Sequence, residues 1–186
     1  MTKKSSTDAV RVLGTTFQNR ILLAAGTAGF GREIAGVIDI EALGGLVTKA
    51  VSVEPRKGHA APRVTEFDGG MLNSVGLANP GVAAVLRDEI PWMERNLRVA
   101  RVIVNVVGDT VEDYATVISR MAGCDIVTAF ELNVSCPNTD RGGEEFGADD
   151  DVLAELVALA VRASDKPLVV KLGPNLPDVV RTAQIA

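Results

Sequence analysis

The chain has 186 residues, 47% of them hydrophobic, 23% charged and only 4% aromatic, with a formal net charge of −5. That length carries one ordinary domain with a full apolar core, and the acidic balance, with no Lys/Arg cluster, argues against a nucleic-acid or anionic-membrane surface. No apolar stretch approaches the ~20 residues of a membrane span, and the basic start MTKKSSTDAV lacks the apolar segment of a secretory signal.

The elements begin with AVRVLGTTFQNR, whose β-branched residues interrupted by a glycine predict a small hairpin, giving residues 1–19 as an N-terminal extension and hairpin. Five short apolar runs follow, at Ile21–Ala25, Leu46–Ala50, Val102–Val107, Ala129–Val134 and Leu168–Leu172. Longer helix-capable segments separate them; TVEDYATVISRMAG and DDDVLAELVALAVRAS have apolar residues at helical spacing. Asp109 or Thr110 can cap the first, and the acidic run Asp149–Asp151 suits the positive N-terminal end of the second.

Strands alternating with helices and rich in Val, Leu and Ile predict βαβ units and a parallel sheet. A doubly wound dinucleotide fold fits poorly, because the glycines of AAGTAGFG, at 26, 29 and 31, miss the G-x-G-x-x-G spacing. A (β/α)₈ TIM barrel over residues 20–186 fits better. Polar residues collect at the C-terminal ends of different strands: Lys49, Asn105, Asn133 through Cys136, and Lys171 with Asn175. Between the second and third runs lies SVEPRKGHAAPRVTEFDGGMLNSVGLANPG, read as a long structureless loop, and such loops in compact domains are usually functional. Five strands in place of eight predict a barrel truncated after about the fifth βα unit.

Candidate chemistry concentrates in ELNVSCPNT, at 131–139. Period-two alternation puts Glu131, Asn133 and Ser135 on one face and Leu132 and Val134 on the other. Asn133 can donate and accept hydrogen bonds to a planar heterocycle, Pro137 ends the strand, and Cys136 follows as a thiol able to act as base or nucleophile. By spacing alone the stretch reads equally as a strand running into a turn. NSVGLANPG, at 73–81, is an ordinary loop or one that brings backbone N–H groups to a ligand. Lys49 and Lys171 each close an apolar strand, facing an anionic ligand or snorkelling to solvent. Two cysteines and one histidine build neither a disulfide framework nor a four-ligand metal site, so no metal is expected; Cys124 reads as a small buried hydrophobe and His59 as a loop residue. A reducing cytoplasm is the expected compartment.

GMLNSVGLANPG, ELNVSCPNT and VKLGPN, in that order and spacing, closely resemble the dihydroorotate dehydrogenases, flavin-containing (β/α)₈ barrels of pyrimidine synthesis. GFGRE at 29–33, TKAVSVEPRKG at 48–58 and PRV at 62–64 strengthen the resemblance, in particular to class 1B. It implies oxidation of dihydroorotate to orotate with FMN. Cys136 takes the place of the base that removes a proton from C5 while C6 delivers hydride to FMN; class 2 enzymes have serine there. Lys49 matches a lysine between flavin and substrate, and Asn73, Ser74, Val75, Gly76 and Leu77 match the loop that holds orotate. Asn133 matches a residue touching both, Asn138 a further substrate contact, and Asn105 and Lys171 contacts to the flavin ring. Ala25, where relatives often carry serine, would contact the flavin with Gly26 and Ala50. The resemblance also implies a homodimer and an iron–sulfur/FAD subunit that passes electrons to NAD⁺. The family's phosphate loops after strands seven and eight, and an asparagine–threonine or asparagine–serine pair completing the orotate pocket, have no counterpart in the chain. The alternative expectations are a non-catalytic fragment that holds FMN poorly alone, and a flavin barrel acting on another reduced pyrimidine.

Overall fold

A computed structural model describes residues 8–135, 137, 138, 144–174 and 176–186. The chain enters through a hairpin of β1 (Val10–Val12) and β2 (Thr15–Phe17), paired Val10 to Phe17 and Val12 to Thr15. The two-residue turn puts Leu13 (φ 52°) and Gly14 (φ 69°) in the left-handed region, the geometry that matches strand twist in tight hairpins. Leu13 is not a glycine, and its side chain packs against an apolar cluster under the sheet, which offsets the backbone cost.

Five parallel strands form the main sheet: β3 (Leu22–Leu23), β4 (Gly45–Val47), β7 (Arg101–Val106), β8 (Val127–Asn133) and β11 (Leu168–Lys171), adjacent in that order. Spatial order follows chain order without the reversal of a doubly wound sheet, as in a barrel traced strand by strand. The barrel expectation holds as a five-strand parallel segment. β3 and β11 stand at opposite ends of the sheet and are not paired with each other, so it does not close.

Alternation divides each strand between two environments. Val102, Val104 and Val106 of β7 and Phe130 and Leu132 of β8 face outward into the main core. There they meet α3 (Val111–Met121), through Tyr114, Val117, Ile118 and Met121, and α4 (Asp150–Ala163), through Val152, Leu153, Leu156 and Ala160. Val47, Ile103 and Ala129 face the other way and form an inner apolar layer under Phe17 of the hairpin. Thr110, not Asp109, caps α3: its Oγ1 accepts the Asp113 N–H at 3.3 Å while the Asp113 carboxylate accepts the Thr110 N–H, a reciprocal capping box. Asp149 caps α4 by accepting the Asp151 and Val152 N–H groups at 3.0 Å.

Two connections differ from expectation. The segment between β3 and β4 is turns and a 3₁₀ turn, Ile40–Ala42, with no α-helix. Gly26, Gly29 and Gly31 there all have positive φ, incompatible with a continuous helix. The long insertion between β4 and β7 is not structureless: it holds a second hairpin, β5 (Val64–Phe67) and β6 (Gly70–Asn73), around Asp68–Gly69 with Gly69 at φ 87°. Asp-Gly flanked by alternating residues is the turn signal that the loop reading passed over. The insertion ends in α1 (Gly81–Ala84), a π-helical turn (Val85–Glu89) and α2 (Ile90–Asn96). Pro91, which has no N–H to return to the preceding turn, accounts for the widened stretch. The remaining pieces are a short pair, β9 (Pro137–Asn138) with β10 (Glu144–Glu145), and a last helix, α5 (Val179–Ile185).

Candidate functional site

Above the inner apolar layer the same inward-facing positions become polar. Asn105 of β7 stands beside Glu131 of β8 in register, and Asn133 stands beside Lys171 of β11. The Asn105 Nδ2 donates to Glu131 Oε1 at 2.6 Å, and the Lys171 ammonium lies 4.0 Å from the same oxygen. Asn105 is 1% exposed, and its Oδ1 is buried without a hydrogen-bond partner among the described residues. Thr48, fully buried at the end of β4, accepts the Asn105 N–H at 3.2 Å and so joins the two strand ends. Lys49 follows it, its own N–H donating to the Gly29 carbonyl at 2.7 Å. Asn133 is buried; its Oδ1 accepts from the Ser135 hydroxyl at 2.8 Å, and its carbonyl accepts from Tyr114 OH at 2.8 Å.

The loop after β6 forms the opposite wall, and the 56–63 stretch holds it by backbone pairing. Ser74 N–H donates to the Arg63 carbonyl at 2.8 Å, His59 N–H to Val75 at 3.1 Å, and Arg56 and Asn79 exchange N–H···O bonds of 2.9 Å. His59 Nδ1 lies 2.8 Å from Ser74 Oγ, so the histidine supports the loop. Gly76 and Leu77 have φ of 70° and 55°, and a Cβ on Gly76 would sit 2.8 Å from His59 N, so only glycine fits. Buried Asn79 ends the loop with every polar atom engaged: its Oδ1 accepts from Gly81 N and Ser52 Oγ, and its Nδ2 donates to Leu77 O.

These walls enclose a cleft of about 590 Å³. The structure brings together on it Ala25, Gly26, Lys49, Ala50, Asn105, Asn133 and Lys171, together with the whole Asn73–Leu77 loop. Cys136 and Asn175 lie outside the described residues, and of Asn138 only the backbone is described, paired with Glu144. The cleft also takes in Gly29, Glu33 and Ala78, which sequence reasoning did not single out, although Gly29 and Glu33 bracket the GFGRE motif. Glu131 was placed on the Asn133 face but given no role; a charged residue inside an otherwise apolar strand was the available signal. Cys124 is half-buried against the main core, and burial pushes its thiol up from the ordinary value. Among the described residues no group of three or more His, Cys, Asp or Glu side chains could hold a metal ion. No helix among them is long and apolar enough to cross a membrane.

Parallel strands traced in chain order, with a polar cleft at their carboxyl ends, define an α/β protein consistent with a partial barrel. The family model for dihydroorotate dehydrogenase matches residues 8–186, and the chain belongs to that family. It is 45% identical over 176 residues to the catalytic subunit of dihydroorotate dehydrogenase B (NAD(+)) of Geobacillus kaustophilus, covering 95% of this chain and 56% of that one. The corresponding subunit of Pelobacter propionicus is 43% identical over 94% of this chain and 57% of its own length. Dihydroorotate dehydrogenase A (fumarate) of Lactiplantibacillus plantarum is 40% identical over 95% of this chain and 58% of its own. The chain thus spans between half and two thirds of these relatives' lengths.

Proposed function

We propose that this chain supplies the flavin-ring and substrate face of an enzyme oxidising dihydroorotate to orotate with FMN, in pyrimidine biosynthesis. The observation that carries the reading is the convergence of Lys49, the Asn73–Leu77 loop, Asn105, Asn133 and Lys171 on one cleft. The residues fit a flavin ring: a buried acceptor, Asn105 Oδ1, lacks a donor among the described residues, and two lysines line the same cleft. Bound there, FMN supplies the hydride acceptor for C6 of dihydroorotate.

The chain's own residues do the rest. Asn105, Asn133, Lys171 and the backbone at Ala25, Gly26 and Ala50 hold the ring, and Lys171 offers positive charge to its electron-rich edge. Lys49, which lines the same cleft, would serve both ring and substrate. The Asn73–Leu77 loop would hold orotate through the Asn73 side chain and the N–H groups of Val75, Gly76 and Leu77, with Asn138 as a further contact. Ser74, whose N–H is taken by the Arg63 carbonyl, fixes the loop beside it. Cys136 acts as the general base: its thiolate takes the C5 proton as C6 gives up hydride, so the substrate loses two electrons and two hydrogens in all. The relatives named as catalytic subunits of the NAD(+)-dependent enzyme support a separate partner subunit and NAD⁺ as final acceptor. An iron–sulfur/FAD character for that partner, a homodimer and a cytoplasmic setting are what the family resemblance implies.

The test is an FMN titration followed by anaerobic addition of dihydroorotate. Flavin fluorescence is quenched on binding and the flavin absorbance bleaches on reduction, whereas Cys136→Ala binds FMN and bleaches far more slowly. Flavin bound but not reduced, or a Cys136→Ala variant that bleaches at the original rate, overturns the assignment. The open sheet, unpaired between β3 and β11, favours a second reading in which this chain alone holds FMN poorly. Colourless purified protein with no quenching distinguishes that case.

A further inference from the structure

One charged side chain bonded to the cleft wall, Glu131, is not among the residues that line the cleft. Glu131 sits in the inward-facing row of β8, one position pair below Asn133 and Lys171, with its side chain 13% exposed. Its neighbours in that row are Asn105 on β7 and Val169 on β11, so the one lateral hydrogen-bond donor available from a paired position is the Asn105 amide. A partly buried carboxylate there costs desolvation free energy unless donors face it.

We propose that Glu131 is a positioning residue, setting the orientation of the Asn105 amide and thereby the kind of ligand edge the cleft accepts. The reasoning is chemical. An ionised carboxylate only accepts hydrogen bonds, so the amide has to turn its NH₂ toward Glu131, which it does at 2.6 Å. The amide is planar, so its oxygen then lies on the other side, and that is the buried atom with no partner among the described residues. Without Glu131 the amide is free to flip and present NH₂ to the ligand instead. The same Glu131 oxygen lies 4.0 Å from the Lys171 ammonium, which places a cation beside the oriented amide. An unpaired acceptor next to a cation complements a ring edge with an N–H donor beside a carbonyl acceptor, the imide pattern of a flavin or pyrimidine. The inference deepens the flavin reading and rests on it for the ligand's identity; the effect of Glu131 on Asn105 stands without it.

Two measurements test it. In flavin-free protein, NMR of the Asn105 side-chain amide is expected to show one proton shifted well downfield of the other, because one is bonded to a carboxylate and one is not. That splitting collapses in Glu131→Leu, which has no acceptor at that position. Two amide protons at ordinary solvent-exposed positions in the unaltered protein overturn the proposal, with no variant needed. The second measurement is FMN affinity by fluorescence quenching. Glu131→Leu and Asn105→Ala each weaken FMN roughly tenfold, and the double variant loses less than the product of the two, because one residue acts through the other. Full multiplication of the two losses, or an unchanged affinity in Glu131→Leu, overturns it. If the unaltered protein takes up no FMN, the flavin reading fails, and the NMR splitting still decides the role of Glu131.

Discussion

The hydroxyl of Tyr114, on the inner side of α3, donates to the main-chain carbonyl of Asn133 over 2.8 Å, tying a helix of the outer layer to the strand end that bears the cleft. Its ring is edge-on to Phe146 with centroids 5.3 Å apart, so the contact is both polar and packed. Removing only the oxygen, as Tyr114→Phe, keeps the ring contact and leaves the Asn133 carbonyl short of a donor. Chemical denaturation is expected to show a loss of about 1–2 kcal/mol. A variant as stable as the parent excludes this bond as a strut of the site.

Gly76 tests the loop wall. Gly76→Val forces a β-branched residue to φ near 70° and drives its Cβ against the backbone of His59. A stability cost of about 1–3 kcal/mol is expected, with orotate affinity reduced far more than FMN affinity, since the distortion stays in the 73–77 wall. Isothermal titration with each ligand separates the two effects.

Lys171 and Lys49 divide by ligand. Lys171→Met removes positive charge from beside the Asn105–Glu131 pair and is expected to lower the flavin midpoint potential while weakening FMN several-fold. Lys49→Met is expected to raise the orotate dissociation constant at least tenfold, a charged hydrogen bond being the interaction lost. Spectroelectrochemistry and orotate titration of the flavin spectrum check them in turn.

Cys124 gives a pH dependence with a definite sign. Burial raises its thiol above the ordinary value of 9.0, so in the window just above that value the unfolded chain releases a proton that the folded chain keeps. Unfolding then becomes easier as pH rises, and the contribution is intact below the window. Cys124→Ser, which cannot ionise there, is expected to flatten that part of the stability profile. Urea midpoints collected from neutral pH upward for both proteins would reveal it, and parallel curves would refute it.

Local pattern carried a large part of the structure. The five apolar runs became the five strands of the parallel sheet, the Leu13–Gly14 hairpin formed where its glycine falls, and α3 and α4 begin at their polar caps. Alternation along β8 also put Glu131 and Asn133 on one face before any neighbour was known. These features are encoded within a few residues, by side-chain period and by backbone preferences at caps and turns. The second hairpin was equally local, signalled by Asp68–Gly69, and was overlooked inside a polar stretch.

What a linear pattern does not carry is which strand lies beside which and at what register. Only the tertiary structure set Asn105 against Glu131, 26 positions apart, and brought Lys171 to the same oxygen. Only it folded the 56–63 stretch over the 73–77 loop, turning His59 from an isolated loop histidine into a support for Ser74. Cross-strand distances depend on parallel register and strand tilt, properties of the assembled sheet. Sequence alone determined that polar side chains would stand at strand ends; folding decided which of them meet, and left one amide oxygen of the cleft-lining Asn105 without a donor among the described residues.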